Sequence, residues 1–187
     1  MLINEGDLDA ITRIFSLGLP RTLARHAVIV LHYFRSVSDE VIPIDVFVAG
    51  CVLYALKQRQ CPNGNHAVKR CLARAKESDI VGFELVLVQV IRRNVVLVEA
   101  CLRSVFHDFL LVNPTARFDR ERLIQVCLHL ISVLYNTKWC LFPESAARGA
   151  LVVACEKCDL DVRKLPPKFE EQTVTQISEY LRCSSCK

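Results

Sequence analysis

Shifted against itself by one hundred residues, the chain falls into register. Pro43 lies on Pro143, Ala49–Gly50 on Gly149–Ala150, Val52 on Val152 and Lys57 on Lys157. The preceding segment follows, with Leu23 on Leu123, Val28 on Leu128 and Leu31 on Ile131. Identities are few. The shared apolar register, the proline ahead of each segment and the small pair within it carry the correspondence. A helix enclosed by other helices needs small residues where backbones approach and apolar ones elsewhere. The chain therefore reads as two copies of one helical unit, each wrapped round a proline-led inner helix. The competing reading is two unrelated amphipathic helix pairs.

The rest of the sequence agrees with an all-α fold. "DLDAITRIFSLGL" (7–19) places Leu8, Ile11, Ile14 and Phe15 at helical spacing. "LPRTLARHAVIVLHYFRSV" (19–37) opens with Pro20 near a first turn and lines up Leu23, Ala27, Val30, Leu31 and Phe34. "PIDVFVAGCVLYALKQRQ" (43–60) is apolar nearly all round, as a central helix should be. After the turn "CPNGN" (61–65) comes a short basic amphipathic helix, 66–76, with Lys69, Arg70, Arg74 and Lys76. Residues 78–109 are rich in valine, but their length and lack of turn residues predict helix, with a break. "VNPTARF" (112–118) is the expected linker, followed by helices over 119–137, 143–158 and 170–183. The expected division is a first unit at 1–111 and a shorter second unit at 112–187.

Composition narrows the class. Only 6 glycines and 7 prolines argue against a β-sandwich or a disordered chain. The most apolar segment, 81–102, is interrupted by Glu84, Arg92, Arg93 and Glu99, so no membrane span is expected. The start is acidic and lacks a charged-then-apolar leader pattern. Ten cysteines, mostly inside apolar runs such as those around Cys51, Cys101 and Cys127, read as reduced, small hydrophobes of a cytosolic or nuclear protein. A net charge of +4 permits an acidic partner without demanding nucleic acid.

Two Cys-x-x-Cys pairs, Cys155–Cys158 and Cys183–Cys186, raise the question of zinc. A structural zinc site prefers such a pair in a tight turn. "CEKC" instead falls at the end of the inner helix of the second half, Cys155 lying where Ala55 lies in the first. No metal and no cofactor are expected. Nor is catalysis. There is no glycine-rich phosphate loop, no His-Glu-x-x-His and no nucleophile elbow, and the five histidines are scattered.

The ordered set of segments resembles the cyclin superfamily. "FVAGCVLYALKQRQCP" (47–62) is similar to the third helix of a cyclin box, with Lys57 at the lysine position and Pro62 at the proline. The acidic pair of that pattern is replaced by Arg59 and Gln60. "LVNPTARF" (111–118) resembles the box-joining segment of transcription-type cyclins, and "FPESAARGALVVAC" (142–155) the Pro-Glu-x-x-Ala helix of their second repeat. The resemblance spans residues 5–182 and leans toward types H, C, K and L. It implies two five-helix boxes, the second shortened, since the interval from Pro114 to "LIQVCLHL" lacks about a dozen residues of the family's pattern. The substrate-docking patch of the family has no match in "AITRIFSLG".

What the resemblance implies is binding. A cyclin docks on a cyclin-dependent kinase, holds the kinase αC helix inward and favours the active arrangement. Lys57 is the implied anchor to kinase backbone, and Glu99 the implied fifth-helix glutamate. Tyr54, Phe106 and Phe109 are the expected apolar contacts. The implied setting is the nucleus, with the cytoplasm as a second location, in transcription or RNA processing, and a third assembly subunit is a further implied partner. Two other readings use the same fold. One is a TFIIB-like factor bound to DNA and protein, which is usually more basic than this chain. The other is a cyclin-like scaffold that binds without activating, which the missing acidic pair keeps open.

Overall fold

The computed structural model describes residues 4–59, 73, 75–91, 95–114, 118–160 and 172–184. Among these the chain is helical, with eight α-helices and no strand. It divides into two compact units, Leu2–Val95 and Val96–Lys187. That division lies ahead of the 111/112 boundary expected from the sequence, and the helix Val98–Val112 packs within the second unit. The basic helix expected over 66–76 lies outside the described residues but for Ala73, Ala75 and Lys76. No helix among the described residues is long and apolar enough to cross a membrane.

The first unit has four described helices. Helix α1 (Glu5–Ser16) is capped by Asn4, whose side chain accepts from the Asp7 N–H at 2.7 Å. It buries Ala10, Ile11 and Ile14 and is followed by Gly18 in the left-handed region, φ 69°. Helix α2 (Arg21–Val37) follows Pro20 and buries Leu23, Ala27, Val30, Leu31 and Phe34. Helix α3 (Ile44–Gln58), behind Pro43, is buried over Val46–Val52 and Tyr54–Leu56 and touches the other three. Helix α4 (Glu77–Val90) buries Ile80, Phe83, Glu84 and Leu87.

Three rings join α2, α3 and α4. Phe34, Phe47 and Phe83 have centroid separations of 5.7, 5.1 and 5.5 Å, and the Phe83 contacts are edge-on. Such pairs each add about 0.5–1.5 kcal/mol beyond area burial. Arg35 ties α1 to this cluster. It bonds the buried Asp7 carboxylate at 2.8 Å while its guanidinium lies 4.4 Å from the Phe47 ring centroid. Close packing of α4 on α3 depends on Gly50. A Cβ there would lie 2.4 Å from Phe83 Cδ1.

The second unit repeats this order. Helix α5 (Val98–Val112) buries Val98, Leu102, Val105 and Phe109, one stripe at helical spacing. Helix α6 (Arg120–Leu134) is capped by Asp119, which accepts from the Arg122 N–H at 3.0 Å. A 3-10 turn, Lys138–Leu141, leads to α7 (Pro143–Lys157), which has proline at its first turn and is buried without interruption from Ala146 to Cys155. Helix α7 touches α5, α6 and α8 (Gln172–Ser184). Gly149 meets α8 as Gly50 meets α4. A Cβ there would lie 2.7 Å from Ile177 Cγ2.

Gly82, on the outer side of α4, has nothing within 4 Å of an added Cβ. The three glycines therefore respond differently to alanine. Gly50→Ala and Gly149→Ala each lower stability by about 1–3 kcal/mol through overpacking. Gly82→Ala raises it by about 0.5–1 kcal/mol, since glycine weakens a helix interior. Urea unfolding midpoints of the three variants measure this, and a loss at Gly82 or a gain at Gly50 contradicts the packing described.

Candidate functional site

A cation and a carboxylate meet where α3 ends. Lys57 sits in the last turn of α3, where the helix dipole favours positive charge. Its Nζ lies 2.7 Å from Glu84 Oε2 on α4. The pair is lopsided. The Lys57 side chain is 64% exposed and that of Glu84 only 8%, so a buried carboxylate holds an ammonium at the surface. Beside it α4 presents Val81, Leu85 and Val88, exposed by 43, 60 and 55%. Residues three before and four after Glu84 share its side of the helix, so this apolar stripe flanks the ion pair. Helix α4 is apolar on the core side and here again toward solvent, which a helix facing only water has no reason to be.

Tyr54, one turn before Lys57, is buried, and its hydroxyl donates to the Ile91 carbonyl at 3.4 Å. It pins the end of α4 and belongs to the core of its unit. Arg59, the residue that caps α3, donates through Nε to Nδ1 of His26 at 3.0 Å. His26 is buried on α2. Burial first, and the neighbouring Arg59 charge second, push its pKa down to about 4.

The second unit holds the other expected residues. Glu99, in the first turn of α5, accepts from the Tyr135 hydroxyl at 2.6 Å, and that oxygen accepts from the Val98 N–H at 3.3 Å. Phe109 is buried against Phe106 and Phe118, and Phe106 is half-buried. Lys57 and Tyr54 thus belong to one unit and Glu99, Phe106 and Phe109 to the other. The acid brought to Lys57 is Glu84, and the apolar side chains beside it are Val81, Leu85 and Val88. The sequence held one signal for Glu84. It is the only charged residue between Ile80 and Ile91, on the core phase of an apolar helix, and a charge there requires a partner.

Cys155 and Cys158 lie at the C-terminus of α7. The Leu160 N–H donates to the Cys155 carbonyl at 2.9 Å and the Asp159 N–H to that of Glu156 at 3.2 Å, with Asp159 at φ 54°. This is a Schellman end in which aspartate replaces the usual glycine. Burial pushes the Cys155 thiol up to about 12. Among the described residues no group of three or more His, Cys, Asp or Glu is arranged to hold a metal ion. Cys183 is exposed, and Cys186 lies outside the described residues. One residue before Lys157, Glu156 pairs with Arg182 of α8 through two bonds of 2.6 and 2.9 Å, the same inner-helix link with the charges reversed.

No model of a known protein family matches the chain, and no curated protein does.

Two measurements check these contacts. Lys57→Ala leaves the Glu84 carboxylate buried without its counter-ion and lowers stability by about 1–2 kcal/mol, kept small by the exposure of the lysine. Adding Glu84→Gln recovers part of that loss. Equal and additive losses would show that the pair is not coupled. The second check is pH. Unfolded His26 takes a proton near pH 6.5, whereas folded His26 takes one only near pH 4. Its contribution is therefore intact above pH 6.5 and is lost on acidification between those values. The thermal midpoint should fall over that range, and less steeply in His26→Asn, which cannot titrate. Identical slopes would place the acid sensitivity elsewhere.

Proposed function

We propose that this chain is a cyclin-like regulatory subunit that docks on a cyclin-dependent kinase through the end of α3 and the adjoining face of α4. The observation that carries the reading is the surface ammonium of Lys57, fixed by buried Glu84 and flanked by the Val81, Leu85 and Val88 stripe. An apolar face anchored by one oriented charge suits a helix of another protein. The sequence alone suggests the fourth helix of a cyclin box over 66–76, which lies largely outside the described residues, and on that count α4 corresponds to the fifth. The fifth-helix glutamate is then Glu84, and Glu99 serves α5 through Tyr135.

The two units are read as two such boxes. Supporting this are the shared helix order, the proline before each inner helix, the glycine at each close contact and the ion pair at each inner-helix end. The role is regulatory and not catalytic. The subunit binds the active arrangement of the kinase more tightly than the inactive one, and that difference alone shifts the kinase. The nucleus, in transcription or RNA processing, is the setting this reading favours.

Co-expression with a panel of cyclin-dependent kinases, followed by affinity recovery and a phosphotransfer assay, tests the proposal. The wild-type chain should recover a kinase and activate it. Lys57→Glu should abolish recovery, but it also sets two carboxylates together. The charge-swapped Lys57→Glu, Glu84→Lys restores the internal pair and should still fail to recover the kinase, with helical content by circular dichroism intact. Full recovery with the swapped variant would remove Lys57 from the interface. Retention of promoter DNA in place of a kinase would support the TFIIB-like class, and recovery without phosphotransfer the scaffold.

A further inference from the structure

Lys57 has its counter-ion within the unit, whereas the neighbouring cation, Arg59, has none among the described residues. Among the described residues no carboxylate is ion-paired with Arg59. Its guanidinium is nevertheless held on one edge, where Nε donates to Nδ1 of His26 at 3.0 Å. His26 is 5% exposed, so the acceptor is fixed by the packing of α2 and not by the surface. An arginine otherwise loses considerable side-chain freedom on binding, and a held one loses less. The two terminal amino groups form the part of the fork that matches a carboxylate. Arg59 also stands where the cyclin-box pattern has its first acidic residue, so the sign of charge at this position is the reverse of the pattern it resembles.

We infer that Arg59 determines partner specificity: its guanidinium, oriented by His26, binds a carboxylate on the docked protein at the end of α3. The inference rests on the kinase-docking reading and adds the chemistry of the partner. The docked helix carries glutamate or aspartate beside its apolar face, and a partner with lysine or arginine there is repelled by Arg59 and Lys57 together. Arg59 makes the contact. His26 is a positioning residue that acts through it.

Peptides spanning the αC helix of a cyclin-dependent kinase provide the probe, in two forms that differ only at the residue flanking the apolar face, glutamate or lysine. Binding to the full chain is read by fluorescence anisotropy at low and moderate salt. The glutamate form should bind about tenfold more tightly, with the preference shrinking as salt rises. Arg59→Glu should invert the preference. His26→Leu should erase most of it and His26→Asn, which keeps an acceptor oxygen, should restore it. A merely structural histidine would lower both affinities alike. Circular dichroism of each variant separates lost binding from lost fold. If both forms bind the wild-type chain equally, or Arg59→Glu leaves their order unchanged, the arginine contact is overturned while docking stands. If neither form binds, docking on this surface and the arginine contact fall together.

Discussion

In each unit the last described helix reaches the inner helix across a glycine, and the placement of the polar groups follows from that approach. Phe83 lies against the backbone at Gly50, and the next residue, Glu84, then reaches Lys57 Nζ at 2.7 Å. In the second unit Ile177 lies against Gly149, and Arg182, five residues on, meets Glu156. Helix axes come this close only where one side chain is missing, because the interior is packed as densely as a molecular crystal. The chain of cause runs from a single hydrogen-for-methyl choice to an interhelical distance, and from there to which charges can touch.

Polar links between helices have the same positions in both units but not the same chemistry. Asp7 and Glu99 each stand near the start of a first helix and bond a side chain from the end of the second, Arg35 in one case and Tyr135 in the other. The inner-helix pair is lysine with glutamate in one unit and glutamate with arginine in the other. What persists is that each end of the packed trio is tied by at least one polar contact. Buried donors and acceptors demand partners whatever their identity. The first unit differs in leaving its cation largely in water, 64% exposed against 45% for Arg182, with an apolar stripe alongside.

Much of the fold was legible because the constraints are local. The proline before each inner helix, the apolar runs Val46–Leu56 and Ala146–Cys155, the second interrupted only by Arg148, and the small pairs inside them mark those helices directly. The passage from one unit to the next was less visible. Ile80, Glu84, Leu87 and Ile91 keep the same three–four alternation as Val98, Leu102, Val105 and Phe109. Periodicity runs straight through the point where Ile91 leaves helical geometry, although the chain there passes from one core to the other. Helical phase reports which face is apolar and not which core receives it. For the same reason Lys57 could be singled out from its helix end, while its partner could not. Glu84 lies 27 residues away, and only tertiary packing brings the two together. The grip of His26 on Arg59, across 33 residues, was equally hidden.

The buried cysteines have a consequence for how the chain meets oxidants. Cys51, Cys127, Cys140 and Cys155 are enclosed, and burial raises each thiol far above neutrality. Sulfur chemistry proceeds through the ionised form and needs access by the attacking species. These four atoms have neither, and they act as space-filling groups slightly larger than alanine. Among the described residues, sulfur chemistry falls to Cys101, Cys158 and Cys183, which are at least partly open to solvent. A sequence this rich in sulfur is therefore, in its interior, chemically quiet for as long as it stays folded.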